Sequence, residues 1–247
     1  MSILLPYKRT VRQFTDGHYE YSGKGQYIFT NGFAQNPQEY IRPLFIIQKD
    51  LQTLFDYIES CDDNLKCYSF RIHELLFRCC VEVESNFKAI LSENGYSKNG
   101  DWNMNDYKKV EASHLLSGYE VGMPIWKGSS NIRKPFEAWA NNKSLDWYND
   151  YHDIKHSRTI NFHKANLDNL INAVCGYVVL LSAQFCREDF IPSSSLLAAE
   201  GSIDGMETAV GGYFRVKFPN WPSSEQYDFT HHDIDASGFQ PQNYPYK

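Results

Sequence analysis

The stretch Trp147-Tyr148-Asn149-Asp150-Tyr151-His152-Asp153-Ile154-Lys155-His156-Ser157-Arg158-Thr159-Ile160-Asn161-Phe162-His163 gathers three imidazoles, an ammonium and a guanidinium into one short segment. Imidazole gives or takes a proton near neutrality, which suits it to general acid/base work. Arg158 and Lys155 are cations that can hold a phosphate and offset the charge it gains in a transition state. Together these properties suit cleavage of RNA, in which the ribose 2′-OH attacks the adjacent phosphate. Read as one continuous helix, the segment puts His152, His156 and His163 within about 40° of one another. Two imidazoles at i and i+4 could also chelate a transition metal, with Asp150 or Asp153 adding an oxygen. His163 lies two turns further on and no other ligand is nominated, so the site is expected to hold no metal and no cofactor. The alternative is that Trp147, Tyr148, Tyr151 and Phe162 dock the segment on a core, leaving the histidines as caps and surface residues. A second cluster, His231-His232-Asp233-Ile234-Asp235, reads as an exposed polar loop.

Other chemistries leave no mark. The chain has no GxGxxG or P-loop, no HExxH, no GxSxG and no EF-hand loop. Its net charge of −6 over 247 residues excludes an avid non-specific nucleic-acid binder. A local phosphate site survives that exclusion. Lys127, Arg133, Lys134, Lys143, Lys155, Arg158 and Lys164 crowd into residues 127–164 against Glu137, Asp146, Asp150 and Asp153, whereas the tail from Arg187 onward is acidic. Cys61, Cys67, Cys79, Cys80, Cys175 and Cys186 form no CxxC pair, and the apolar company of Cys79, Cys80 and Cys175 points to buried reduced thiols. The longest apolar run, Val174–Ala183 broken at Ser182, is too short to span a bilayer, which needs about 20 residues. No basic stretch precedes the apolar patch Ile3-Leu4-Leu5, so no signal peptide is expected. Reduced thiols without a membrane segment point to the cytoplasm.

The elements that must position the His/Arg segment are mostly helical. Residues 1–43 read as turns with Tyr27-Ile28-Phe29 as a strand, residues 44–190 as a helical bundle, and residues 191–247 as a loop, strand and acidic tail lying over it. Leu44, Ile47, Leu51, Leu54, Phe55 and Ile58 recur at helical spacing. Between Ser69 and Glu93, Ile72, Leu75, Leu76, Cys79, Val83, Phe87, Ile90 and Leu91 form an apolar stripe that Asn94-Gly95 ends. Arg71, Glu74, Arg78 and Glu82 form another stripe, expected to be a ladder of i, i+4 ion pairs. Asp101–Ser117 reads as a third helix, and Ser144 as the cap of a short one. The last helix should run from about His163 to Asp189, apolar enough to be central or shared with a second subunit. After the loop around Ser193–Ser195 and Gly201, Phe214, Val216 and Phe218 alternate with Arg215 and Lys217 as the best strand.

A long helix, a long connection, a short Tyr/Asn/His/Arg-rich segment and a final apolar helix resemble the HEPN-domain proteins over about residues 45–190. The motif that carries the likeness is Arg158-Thr159-Ile160-Asn161-Phe162-His163, similar to that family's arginine, polar residue and, four to six positions after the arginine, histidine. A second register is Tyr151-His152-Asp153-Ile154-Lys155-His156, in which His156 is the family histidine and Tyr151 stands where the arginine would be. Arg12 and His18 share the spacing by chance. The resemblance implies a mainly α, HEPN-like bundle with a small β-containing C-terminal extension. It implies a metal-independent endoribonuclease of a toxin or phage-defence system, with RNA as substrate, a homodimeric assembly and a protein antitoxin as partner. Arg158, His163 and His156 would be catalytic, and Lys155, Asn161 and His152 would bind substrate. The site would be completed where two copies meet, because one short segment supplies too few groups to surround a phosphate. The alternative is a non-catalytic HEPN-like protein-interaction or RNA-binding module.

Overall fold

The apolar stripe predicted between Ser69 and Glu93 winds into the long helix α2 (Phe70–Glu93) of a computed structural model that describes residues 2–20, 23–190, 205–236 and 238–247. Ser69 caps it by accepting the amide of Ile72 at 3.2 Å. Asn94 ends it, and Gly95 at φ +81° takes the left-handed turn that follows. Its main partner is α7 (Leu167–Phe185), whose residues from Ala173 to Phe185 are all buried. Length and hydropathy alone would let this helix span a membrane, but 89% of its apolar window is buried inside the protein, so it is the core helix. It is therefore central rather than shared. The expected start at His163 is early by a turn: Asn166 caps α7, accepting the amide of Asn169 at 3.0 Å.

Helix α1 (Pro37–Phe55) packs against α2 and α7. It starts about two turns before the predicted Leu44, with Pro37 in the first turn, and continues through Pro43. The single helix expected over Asp101–Ser117 is instead α3 (Met104–Tyr107), α4 (Val110–His114) and a 3₁₀ turn at Leu116–Gly118. Helix α5 (Asp146–His156) follows, then α6 (Arg158–Asn161); the last short helix, α8, is His231–Ile234. Leu145 rather than Ser144 takes the cap position of α5. Tyr27-Ile28-Phe29 lies in a 3₁₀ helix, Lys24–Phe29, not a strand; Tyr27 and Ile28 are buried.

The small sheet is antiparallel, and it is not confined to the tail. Strands β1 (Glu120–Gly122) and β2 (Ile132–Arg133) come from the connection between α4 and α5, and β3 (Glu207–Thr208) and β4 (Arg215–Lys217) from the C-terminal region. The order is β2-β1-β4-β3, with Val121 opposite Val216. Phe214 and Val216 face inward as the alternation predicts. The loop placed at Ser193–Ser195 and Gly201 lies outside the described residues. Mainly α with a small antiparallel sheet is the architecture, and one buried cluster runs from Val11 to Phe229 across all three predicted regions.

Two arginines tie the ends of that cluster together. Arg9, fully buried, bonds Gln184 on α7 at 2.9 Å, pairs with Glu93 on α2 at 2.7 Å and lies 4.2 Å from the ring of Tyr40 on α1. Arg12, also buried, donates to Ser113 O and Glu225 O, and stacks over Trp221 at 4.1 Å. Burial takes Arg12 out of any spacing match with His18. Residues 2–14 and 226–242 are laced by backbone bonds, including Ile3 N to Gln226 O, Lys8 N to Gln242 O and Tyr227 N to Gln13 O. The Tyr227 hydroxyl donates to Thr10 O and accepts from Tyr7 N, each at 2.9 Å.

Gly176 sets how closely α5 approaches the core helix. A Cβ there would stand 3.3 Å from the Trp147 ring and 3.5 Å from that of Phe136. Gly176→Leu should overpack this contact and lower stability by about 2–3 kcal/mol, read as a fall in the denaturant midpoint. An unchanged midpoint would mean that α5 is not held at this distance.

Candidate functional site

Helix α5 divides its residues cleanly. Trp147, Tyr151 and Ile154 recur on one side and are buried, which leaves His152, Lys155 and His156 exposed on the other. The Trp147 indole donates to Pro135 O at 2.9 Å, and the Tyr148 hydroxyl donates to Glu84 on α2 at 2.9 Å. Tyr151 meets the Phe77 ring edge-on at 5.0 Å. The aromatic residues thus dock the segment, as the alternative reading expects, and in doing so turn the imidazoles outward.

The His152 and His156 rings converge, with their Nε2 atoms 3.1 Å apart and ring centroids 4.3 Å apart. That hydrogen bond requires one Nε2 to carry a proton and the other to be bare, so the pair holds both a donor and an acceptor. Lys155 and His156 lie in the last turn of α5, where exposed carbonyls favour positive charge.

The continuous helix assumed from sequence breaks at Ser157, which takes φ −148° and ψ 73°. The chain then turns through α6 and a 3₁₀ turn, Phe162–Lys164. His163 therefore does not share a helix face with His152 and His156, and the 40° estimate does not apply to it. His163 is exposed, and no hydrogen bond or ring contact joins it to Arg158, His152 or His156 among the described residues.

The turn after the break is strapped down by groups that sequence reasoning gave other work. Lys164 pairs with Asp150 at 2.9 Å and Asp153 at 2.6 Å. Its hydrogen bond holds the Asp153 carboxyl below the usual carboxylate range. Both acids proposed as extra metal ligands are thus committed to an ammonium, and no group of three potential metal-binding side chains forms among the described residues. The Asn161 amide donates to Asp153 O at 3.1 Å, which closes the end of α5. Asn169 bridges Asp150 and Lys164 O, each at 2.9 Å. His231 and His232 sit on α8 rather than in a loop, with a Thr230–Asp233 capping box and a 3.1 Å pair from His231 to Asp235.

Phe162 anchors the turn to the start of α2, against Phe70 at 4.7 Å, Tyr68 at 5.7 Å and His73 at 5.9 Å. Arg158 lies over the Phe70 ring at 5.8 Å and makes no hydrogen bond or ion pair among the described residues. His73 was not singled out from sequence. It stacks on Phe77 at 4.3 Å, and burial, then the positive charge of Arg158, lowers its pKa. The predicted ion-pair ladder beside it is different in kind: Arg71 pairs with Glu74 at 3.0 Å, while Arg78 reaches across to Asp50 on α1.

The arrangement is an exposed imidazole pair, a guanidinium with no charge partner among the described residues, and a neighbouring ring from α2. It can exchange protons and hold an anion. No protein family, no curated protein and no solved structure matches the chain.

Proposed function

We propose that the chain is a metal-independent endoribonuclease of HEPN type, acting in the cytoplasm as a toxin or phage-defence component. The observation that carries this reading is the His152–His156 pair, its Nε2 atoms 3.1 Å apart, followed two residues along the chain by an Arg158 without a charge partner among the described residues. A bare imidazole nitrogen can take the proton of the ribose 2′-OH as it attacks phosphorus. A protonated imidazole can give one to the departing 5′-oxygen. Arg158, backed by Lys155, would hold the phosphate and offset its growing charge. His156 is the more central base, because it adjoins both His152 and the Arg158 turn. Asn161 acts as a positioning residue for that turn, and His163 contributes across the interface of a homodimer. Ile160 (74% exposed) and Phe70 (62% exposed) flank Arg158 and supply apolar surface for such pairing. A protein antitoxin would mask the same face.

The test is cleavage of single-stranded RNA with EDTA present. Wild-type protein should cleave, and His152→Ala with His156→Ala should lose at least 100-fold in rate without a change in the unfolding midpoint. Wild-type cleavage that survives both substitutions would remove the assignment. The net charge of −6 favours a second reading, a non-catalytic binding module. Salt-sensitive RNA binding without cleavage by the wild type would select it.

A further inference from the structure

We infer that the groove between α1 and the first half of α2 is a subsite for a nucleobase of single-stranded RNA, adjoining the phosphate position at Arg158. The inference rests on the RNA-cleaving reading above. The groove has a volume of about 1000 Å³ and is walled by Leu54 of α1, Tyr57 in the turn that follows it, and Arg71, His73, Phe77 and Arg78 of α2. Sites for small organic ligands run to roughly 1000 Å³, so a base with its ribose fits.

The lining has the chemistry that single-stranded bases select. Unpaired bases stack on aromatic rings and on guanidinium planes. Three rings and two guanidinium groups line this groove. Tyr57 is 85% exposed, so its ring contributes little to the fold. The two acids in the groove are already matched, Glu74 by Arg71 and Asp50 by Arg78. The lining is therefore electrically balanced and presents ring faces, which suits an uncharged base; the phosphates are left to Arg158 and Lys155.

His73 and Phe77 join the groove to the His/Arg site. Both line it, and the same His73 ring meets Phe162, whose turn begins at Arg158. A nucleotide whose phosphate sits at Arg158 can direct its base over this stacked pair toward Tyr57.

The test measures binding apart from cleavage. A fluorescent 2′-O-methyl oligonucleotide, which lacks the attacking hydroxyl, is titrated with wild-type, Tyr57→Ala and Tyr57→Phe proteins and followed by anisotropy. Loss of one stacked base should weaken binding about 5- to 150-fold in Tyr57→Ala, with Tyr57→Phe close to wild type. A 4-thiouridine oligonucleotide should photo-cross-link to Tyr57, His73 or Phe77. Equal binding by wild type and Tyr57→Ala, no binding by either, or adducts confined to other elements would overturn the subsite. Self-association that depends on Tyr57, without RNA binding, would assign the groove to a second copy and also overturn it. Tyr57-dependent binding by a protein that fails to cleave unmodified RNA would keep the subsite and reject the catalytic reading. Cleavage with no dependence on Tyr57 would do the reverse.

Discussion

Arg158→Ala should slow single-turnover RNA cleavage by about 100- to 1000-fold, the range seen when one charge-stabilising donor is removed from a transition state. Arg158→Lys should recover part of that loss, because it restores the charge but not the two-pronged geometry that fits a phosphate. The side chain is exposed and makes no hydrogen bond or ion pair among the described residues, so the unfolding midpoint should stay within about 0.5 kcal/mol of wild type. An independent readout exists in His73. The charge of Arg158 is one of the two causes that lower the His73 pKa, so Arg158→Ala should raise it in an NMR titration. Unchanged cleavage in Arg158→Ala would remove the guanidinium from the mechanism.

The largest effect on stability should come from His114, fully buried at the end of α4. A carbonyl can only accept, so the 2.8 Å contact to Arg9 O places the proton on Nε2. Nδ1 then accepts from the Ser113 hydroxyl at 2.6 Å, which in turn has the Tyr246 hydroxyl 2.5 Å away. His114→Ala should cost about 3–4 kcal/mol, combining a cavity with an unpaired carbonyl. Burial also pushes the His114 pKa down to about 3. The folded value lies below the unfolded one near 6.5, so the unfolded chain takes up protons first as pH falls. The stabilisation is complete above about pH 6.5 and drains away toward pH 3, at about 1.4 kcal/mol per unit. By pH 5 the loss should be about 2 kcal/mol. His114→Gln keeps a donor toward Arg9 O but cannot titrate. Its denaturation should be less sensitive to acid than wild type by that amount, and equal acid sensitivity in the two proteins would refute the account.

The sequence declared α2 almost completely, because twenty-four residues with a single apolar stripe and a Ser cap allow one solution. It declared the burial of α7, but its start only within a turn. It concealed the break at Ser157. No glycine or proline marks that position, and the turn is held by Lys164, Asn161 and Asn169, whose partners cannot be ranked from spacing. That one break separates His163 from the imidazole pair. His73 was equally hidden, since its link to Arg158 depends on packing between residues far apart in the chain. Arg9 and Arg12 escaped because buried arginine is rare, and only the assembled Tyr, Trp and carbonyl surroundings make it stable. The pairing of β1 with β4 is likewise non-local, and alternation in Tyr213–Phe218 could not identify its partner.

The lacing of residues 2–14 to residues 226–242 has a bearing on biosynthesis. The first of these stretches leaves the ribosome long before the second exists, so Arg12, Tyr7 and Thr10 must wait for their bonds to Glu225 and Tyr227. Helices α1, α2 and α7 can collapse during translation, but closure over them waits for residues 226–242. Closure is therefore a late, long-range step, and a nascent polypeptide stalled before it would expose the ring-lined bed where residues 226–242 belong.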